Sequence, residues 1–382
     1  MLFIENARII TGEPGEVITG GRILIEGNLI AAVGADLARP AAAQVINADN
    51  MYVVPGFIDG HTHIGLEEEI YGEAGDDVNE YSDPFTPQLR ASDGINLWDM
   101  AFTDALKGGV TREISLPGSA NVLGGQAVFL KNYAPNKEGM IFRDCCGLKA
   151  ALGENPKRVY KSQKKAPYTR MGSADLLRKS FYIAAKLLEK DEITPEQEYI
   201  YQPLLAILKK EIPLLLHAHR ADDLLTALRI KDEFGFNLII QHGTEAHLIA
   251  DELKRRQVPI FLGPMLVNRA KVEMKEVAFK TAARLYQAGV KFAFITDHPV
   301  IPVEHARIHA GLAARAGLEY SAALAALTKW PAEILGVSDQ LGTITAGKIA
   351  DISIFNGDPL SIDAQVSQVI VEGRVWNNPD YI

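Results

Sequence analysis

Short, nearly continuous apolar runs recur through the middle of the chain: "YVVPGFIDGH", "GVTREISL", "GQAVFL", "CCGLKAALG", "IPLLLHAH", "NLIIQH", "VPIFLG" and "VKFAFITD". Runs this short that do not alternate with polar residues predict strands covered on both faces. Between them lie stretches with helical spacing, such as "SADLLRKSFYIAAKLLEK" and "VAFKTAARLYQAGV". Eight strands interleaved with helices over residues 53–343 predict an α/β fold, a (β/α)8 TIM barrel, with chemistry at the carboxyl ends of its strands. The ends of the chain read differently. Residues 1–52 and 344–382 carry β-rich pieces broken by Gly and Asn, such as "RILIEGNLIAAVG" and "VSQVIVEGRVW", and these predict a small β-sandwich domain formed by both termini.

Polar residues gather where the predicted strands stop. His61 and His63 close the first, His217 and His219 the fifth, His242 the sixth, and Asp297 with His298 the eighth, so that six of the nine histidines fall at strand ends. Positions two apart on a strand project to the same side, so each His-x-His pair can address one point. Several imidazoles brought together repel protons and need a metal or carboxylates beside them. Imidazole nitrogens and a carboxylate oxygen suit zinc, with iron, manganese and nickel as alternatives.

Composition narrows the partners. A formal net charge of −9 with no basic run argues against nucleic acid and for a small-molecule substrate. No apolar stretch is long enough to span a membrane, and the start "MLFIENARIITGE" lacks a basic leader. Cys145 and Cys146 are adjacent, a poor disulfide framework, which fits a reducing, cytoplasmic setting. A homo-oligomer remains open.

"GFIDGHTH", the strand-end histidines, "ITDHP" and the tail "LGTITAGKIADISIFNGDPL" together resemble the amidohydrolase superfamily, in particular its imidazolonepropionase-related and prolidase-like members. The resemblance implies one or two divalent metal ions held by His61, His63, His219, His242 and Asp297, with Asp297 also handling the catalytic proton. His219 is favoured over His217 because "HRAD" fits an H-x-x-E/D pattern, His217 being the alternative ligand. Lys149 shares a strand face with Gly147 and Ala151, and the resemblance implies a carboxylated lysine bridging two metals there, with Glu154 the next anionic candidate. The implied reaction is hydrolysis of a C–N bond, amide, peptide-like or cyclic amide; the alternatives are deamination of an aromatic ring at the same centre and, remotely, a non-catalytic scaffold. Arg220, Arg112, Tyr160 and His298 are candidates for contact with substrate, and the acidic loop from Leu66 to Arg90 for a lid. His247, His305 and His309 read as structural.

Overall fold

The computed structural model describes residues 1–13, 15–70 and 72–381. Five strands come first: β1 (Leu2–Ile10), β2 (Val17–Glu26), β3 (Leu29–Gly34), β4 (Gln44–Asn47) and β5 (Tyr52–Pro55). Eight more form the barrel: β6 (Phe57–Thr62), β7 (Val110–Ser115), β8 (Leu123–Lys131), β9 (Ile141–Ala151), β10 (Leu214–Ala218), β11 (Leu238–His242), β12 (Ile260–Leu262) and β13 (Phe292–Phe294). The last three are β14 (Ile352–Phe355), β15 (Val366–Val371) and β16 (Arg374–Asn377).

The two ends of the chain interlock in one sheet of order β16-β15-β14-β5-β1-β2-β3, with β4 also on β1. Strand β14 lies antiparallel to β5, Ile352 opposite Pro55, which joins the tail to the segment leading into the barrel. Ile4, Ile9, Ile23, Ile25, Ile352, Ile354 and Ile370 form its own apolar core. The run predicted as one strand, residues 52–61, is two. Gly56 separates them, because a Cβ there would run into the Thr111 side chain, so β5 turns to the terminal sheet and β6 to the barrel.

The barrel sheet runs in chain order from β6 to β13. Side chains alternate along each strand: Leu215, Ile239, Phe261 and Ala293 fill the interior, and Leu214, Leu216, Leu238 and Ile240 pack outward against helices. Phe261 lies over Gly60, where any side chain would overlap its ring. In one respect the barrel departs from eight parallel βα units. Strand β8 is antiparallel to both β7 and β9. A parallel crossover takes about a dozen residues or more, and the turn at residues 116–122, "LPGSANV", is too short for one. Closure occurs at the carboxyl ends, where the Asp297 N–H donates to the His61 carbonyl (3.1 Å) and the His63 N–H to the His298 carbonyl (2.8 Å).

Candidate metal centre

The stitches that close the barrel also fix the backbone of the residues that gather at its mouth. One buried carboxylate reinforces them: Asp59 Oδ1 accepts the His61 N–H (3.1 Å), and Oδ2 accepts the Thr296 N–H (3.0 Å) and hydroxyl (2.6 Å). Asp59 thus ties His61, at the end of β6, to the residue before Asp297.

Five imidazoles make a continuous cluster. Ring centroids lie 5.3 Å apart for His63 and His61, 4.7 Å for His61 and His242, 4.4 Å for His242 and His217, and 4.7 Å for His242 and His219. Asp297 Oδ1 is 3.1 Å from His61 Nε2 and 3.4 Å from His63 Nε2, and Lys149 Nζ is 3.4 Å from His61 Nε2. Ligand atoms of His61, His242 and Asp297 all fall within 4.8 Å of one another, as do those of His217, His219 and His242.

Hydrogen bonding orients the rings. Nδ1 of His61 meets Gln241 Oε1 (2.7 Å), that of His63 the Leu116 carbonyl (2.7 Å), and that of His242 the Gly263 carbonyl (2.8 Å). These are acceptors, so each Nδ1 carries the proton and each Nε2 keeps its lone pair, the tautomer that metal-binding histidines adopt. His219 Nδ1 pairs with Thr244 Oγ1 (2.8 Å). His217 is buried with neither nitrogen partnered. Burial lowers His61 to about 4, His219 to about 3, and His217 and His242 well below the usual value. Burial alone would raise Asp297, but the closeness of His242, His61 and His63 holds it well below the ordinary carboxylate range. Burial brings Lys149 down to about 7. Imidazoles with Nε2 lone pairs around a carboxylate, one of them buried with both nitrogens unpartnered, are a donor set that fits a divalent cation.

A cavity of about 520 Å³ opens onto this cluster. His61, His63, Lys149, His217, His219, His242 and Asp297 line its floor. The expected substrate contacts lie elsewhere. Arg112 is wholly buried, its Nε 2.6 Å from Asp351 and its Nη2 3.2 Å from Glu372, because it sits near the start of β7 rather than its end. Tyr160 is buried with its hydroxyl on Asn121 Oδ1 (2.5 Å). Arg220 turns away to Asp222, with two contacts of 2.9 Å. His298 is buried beside the cavity, its Nδ1 accepting the Val303 N–H (3.2 Å), and does not line it. Glu154 does not line it either; its backbone N–H donates to Glu273 Oε2 (3.0 Å). Of the acidic loop, Glu67, Val78 and Asn79 reach the cavity, whereas Phe85 and Arg90 are bridged to Leu123 and Gln126 of β8. His309 is buried in a helix and His305 is exposed.

Several functional neighbours were missed from sequence. Gln241 shares the inward parity of Ile239, a signal that the pattern "IIQH" does carry. Glu273, whose Oε1 is 3.9 Å from Nε2 of both His217 and His219, and Lys271, which lines the cavity, lie on the loop after β12, where no periodicity marks them.

Comparison with known proteins points to one family. A model of the amidohydrolase family matches residues 249–376. A solved amidohydrolase from Thermotoga maritima MSB8 superposes with a TM-score of 0.94 at 39% identity, covering 98% of this chain and 99% of that one. A prolidase complexed with n-methylphosphonate-l-proline superposes at 0.65 and 17% identity over 98% of this chain and 99% of its own, which speaks for shared fold alone. Amidohydrolase tasK of Hapsidospora irregularis is 30% identical over 97% of this chain but 42% of its own length. The chain therefore spans less than half the length of tasK; an adenine deaminase from Cenarchaeum symbiosum is 42% identical over 65 residues, 16% of this chain and 11% of that protein.

Proposed function

This chain belongs to the amidohydrolase family, and we propose that it cleaves a carbon–nitrogen bond, an amide, peptide-like or cyclic amide, of a small molecule at the cluster of His61, His63, His217, His219, His242 and Asp297. One observation carries the reading most directly: three histidines have Nδ1 tied to protein acceptors and sit around Asp297 at the floor of an open cavity. His61, His63 and Asp297 would hold one divalent ion, and His242 with His217 or His219 a second. Zinc suits these donors, and iron, manganese or nickel would also fit. When bound, such an ion lowers the pKa of water toward neutrality and polarises a carbonyl.

The chain's own residues do the rest. Asp297, ionised beside His61 and His63, takes the proton of the attacking water and passes it to the leaving nitrogen, without which an amine is a poor leaving group. Asp59 holds His61 and Thr296, the residue before Asp297, to one another across the closure of the barrel. Lys149 is wholly buried with an imidazole, not a carboxylate, as its partner. A buried ammonium so placed is costly; its neutral amine, carboxylated, would supply the anion bridging two ions. The cysteine pair and the charge balance suit a cytoplasmic protein acting on small molecules.

Metal analysis of the purified protein, joined to a screen for amine released from small amides, tests the reading. Full activity in metal-free protein would end it. Ammonia released from aminated aromatic rings, with no hydrolysis of amides, would favour the deaminase instead.

A further inference from the structure

The cavity wall carries a cation that the reaction scheme does not use. Lys271 lies on the loop after β12, lines the cavity, and donates from Nζ to Asn155 Oδ1 at 2.8 Å. Asn155 is itself held by Ser119, its Nδ2 donating to Ser119 Oγ at 2.7 Å. Among the described residues no carboxylate lies within ion-pair distance of Lys271; its near neighbour in sequence, Glu273, turns Oε2 to the Glu154 N–H instead. An ammonium carries three donors, and here a single neutral acceptor takes one. Two N–H groups of this cavity-lining side chain are left without a protein acceptor, and the carboxylate of Glu273 that feels its charge lies beyond ion-pair distance. The remaining wall is apolar or neutral, with Val78, Asn79, Leu266, Val267 and Met274, apart from Glu67 near His63. An unpaired, propped cation in a cavity of this size is a seat for an anion on the ligand.

We propose that Lys271, propped by Asn155, receives a carboxylate of the substrate, so that the compounds hydrolysed are small amides bearing a free carboxylate. This rests on the hydrolase reading above and names its substrate class. The carboxylate can sit on the amine side of the scissile bond, as in an N-acyl amino acid, or on the acyl side, as in a dicarboxylic acid monoamide.

The test separates binding from turnover. Zinc-loaded Asp297→Asn protein is titrated calorimetrically with N-acetyl-leucine and N-acetyl-leucinamide, and with glutaramic acid and its methyl ester. In at least one pair the acid binds roughly tenfold or more tighter than its neutral partner, the difference expected of a charge-assisted contact. That pair identifies the side. Adding Lys271→Met removes the preference, and Lys271→Arg keeps part of it, with unchanged melting temperatures showing that the loop still folds. Equal binding of acid and neutral partner, no binding of either, or a preference that survives Lys271→Met overturns the proposal. Wild-type protein that binds the acids selectively but releases no amine from any compound would leave the carboxylate seat standing and defeat the hydrolase reading.

Discussion

Two of the buried polar clusters in this barrel are finished differently. Near the start of β7, Arg112 meets Asp351 and Glu372, Lys131 meets Glu372 at 2.5 Å, and Phe142 lies under the guanidinium at 4.3 Å. Among these four charged side chains only Arg112 Nη1 is a buried polar atom without a partner. At the mouth, imidazoles outnumber carboxylates, His217 has no partner, Glu273 Oε1 is orphaned and Lys149 has only a histidine. Burying polar groups costs free energy unless they are paired. The first cluster recovers that cost within the chain and fastens the terminal sheet to the barrel; the second leaves it outstanding until something enters from solution.

That contrast can be broken by mutation, beginning with the mouth. Asp297→Asn should keep the fold and much of the metal while turnover falls by about 10²–10⁴-fold, the usual worth of general acid–base catalysis; steady-state kinetics alongside metal analysis would show it, and near-normal rates would remove Asp297 from the proton transfer. His61→Ala and His63→Ala should lower metal content and activity together. Arg112→Met should do the opposite, leaving metal stoichiometry intact while lowering stability by about 3–5 kcal/mol, because Asp351 is left buried and uncompensated. Denaturant unfolding reads that loss. Removing the support of a ligand is a smaller perturbation: Thr244→Val, which frees His219 Nδ1, should weaken metal binding by about 10–100-fold if His219 is a ligand, as competition with a chelator would measure, and unchanged affinity would assign the role to His217. Smallest is Tyr160→Phe, which removes a hydroxyl from Asn121 at a cost of about 1 kcal/mol in stability, with kcat and KM unmoved.

The same contrast explains what the sequence could disclose. Strands, and the side chains that meet at their ends, were legible, because parity along a strand fixes which side chains share a face; the gathering of His61 with His63, and of His217 with His219, follows from that rule. Lys149 was legible for the same reason. Arg112 misled because residue type says nothing about depth along a strand, and its partners Asp351 and Glu372 lie far off in sequence. Arg220 misled because a local carboxylate, Asp222, captures it. Lys271 and Glu273 were invisible, since an irregular loop has no period to place its side chains. The reversed strand β8 was hidden as well. Its apolar run reads identically in either direction, and only the short connection at residues 116–122 distinguishes the two.

The interlocking of both chain ends has a consequence for biogenesis. Strands β1 to β3 and the hairpin-like β7 to β9 make neighbouring contacts that can form as soon as they are synthesised, whereas β5 waits for β14, which leaves the ribosome only after the whole barrel. Contacts so distant in sequence carry a loop-closure cost and form slowly. Until Ile352 pairs with Pro55, the edge of β5 and the apolar face of the terminal sheet stay uncovered, and an unpaired strand edge of this kind invites other chains. The step that seals the fold is thus also the interval in which a nascent chain is most exposed to aggregation.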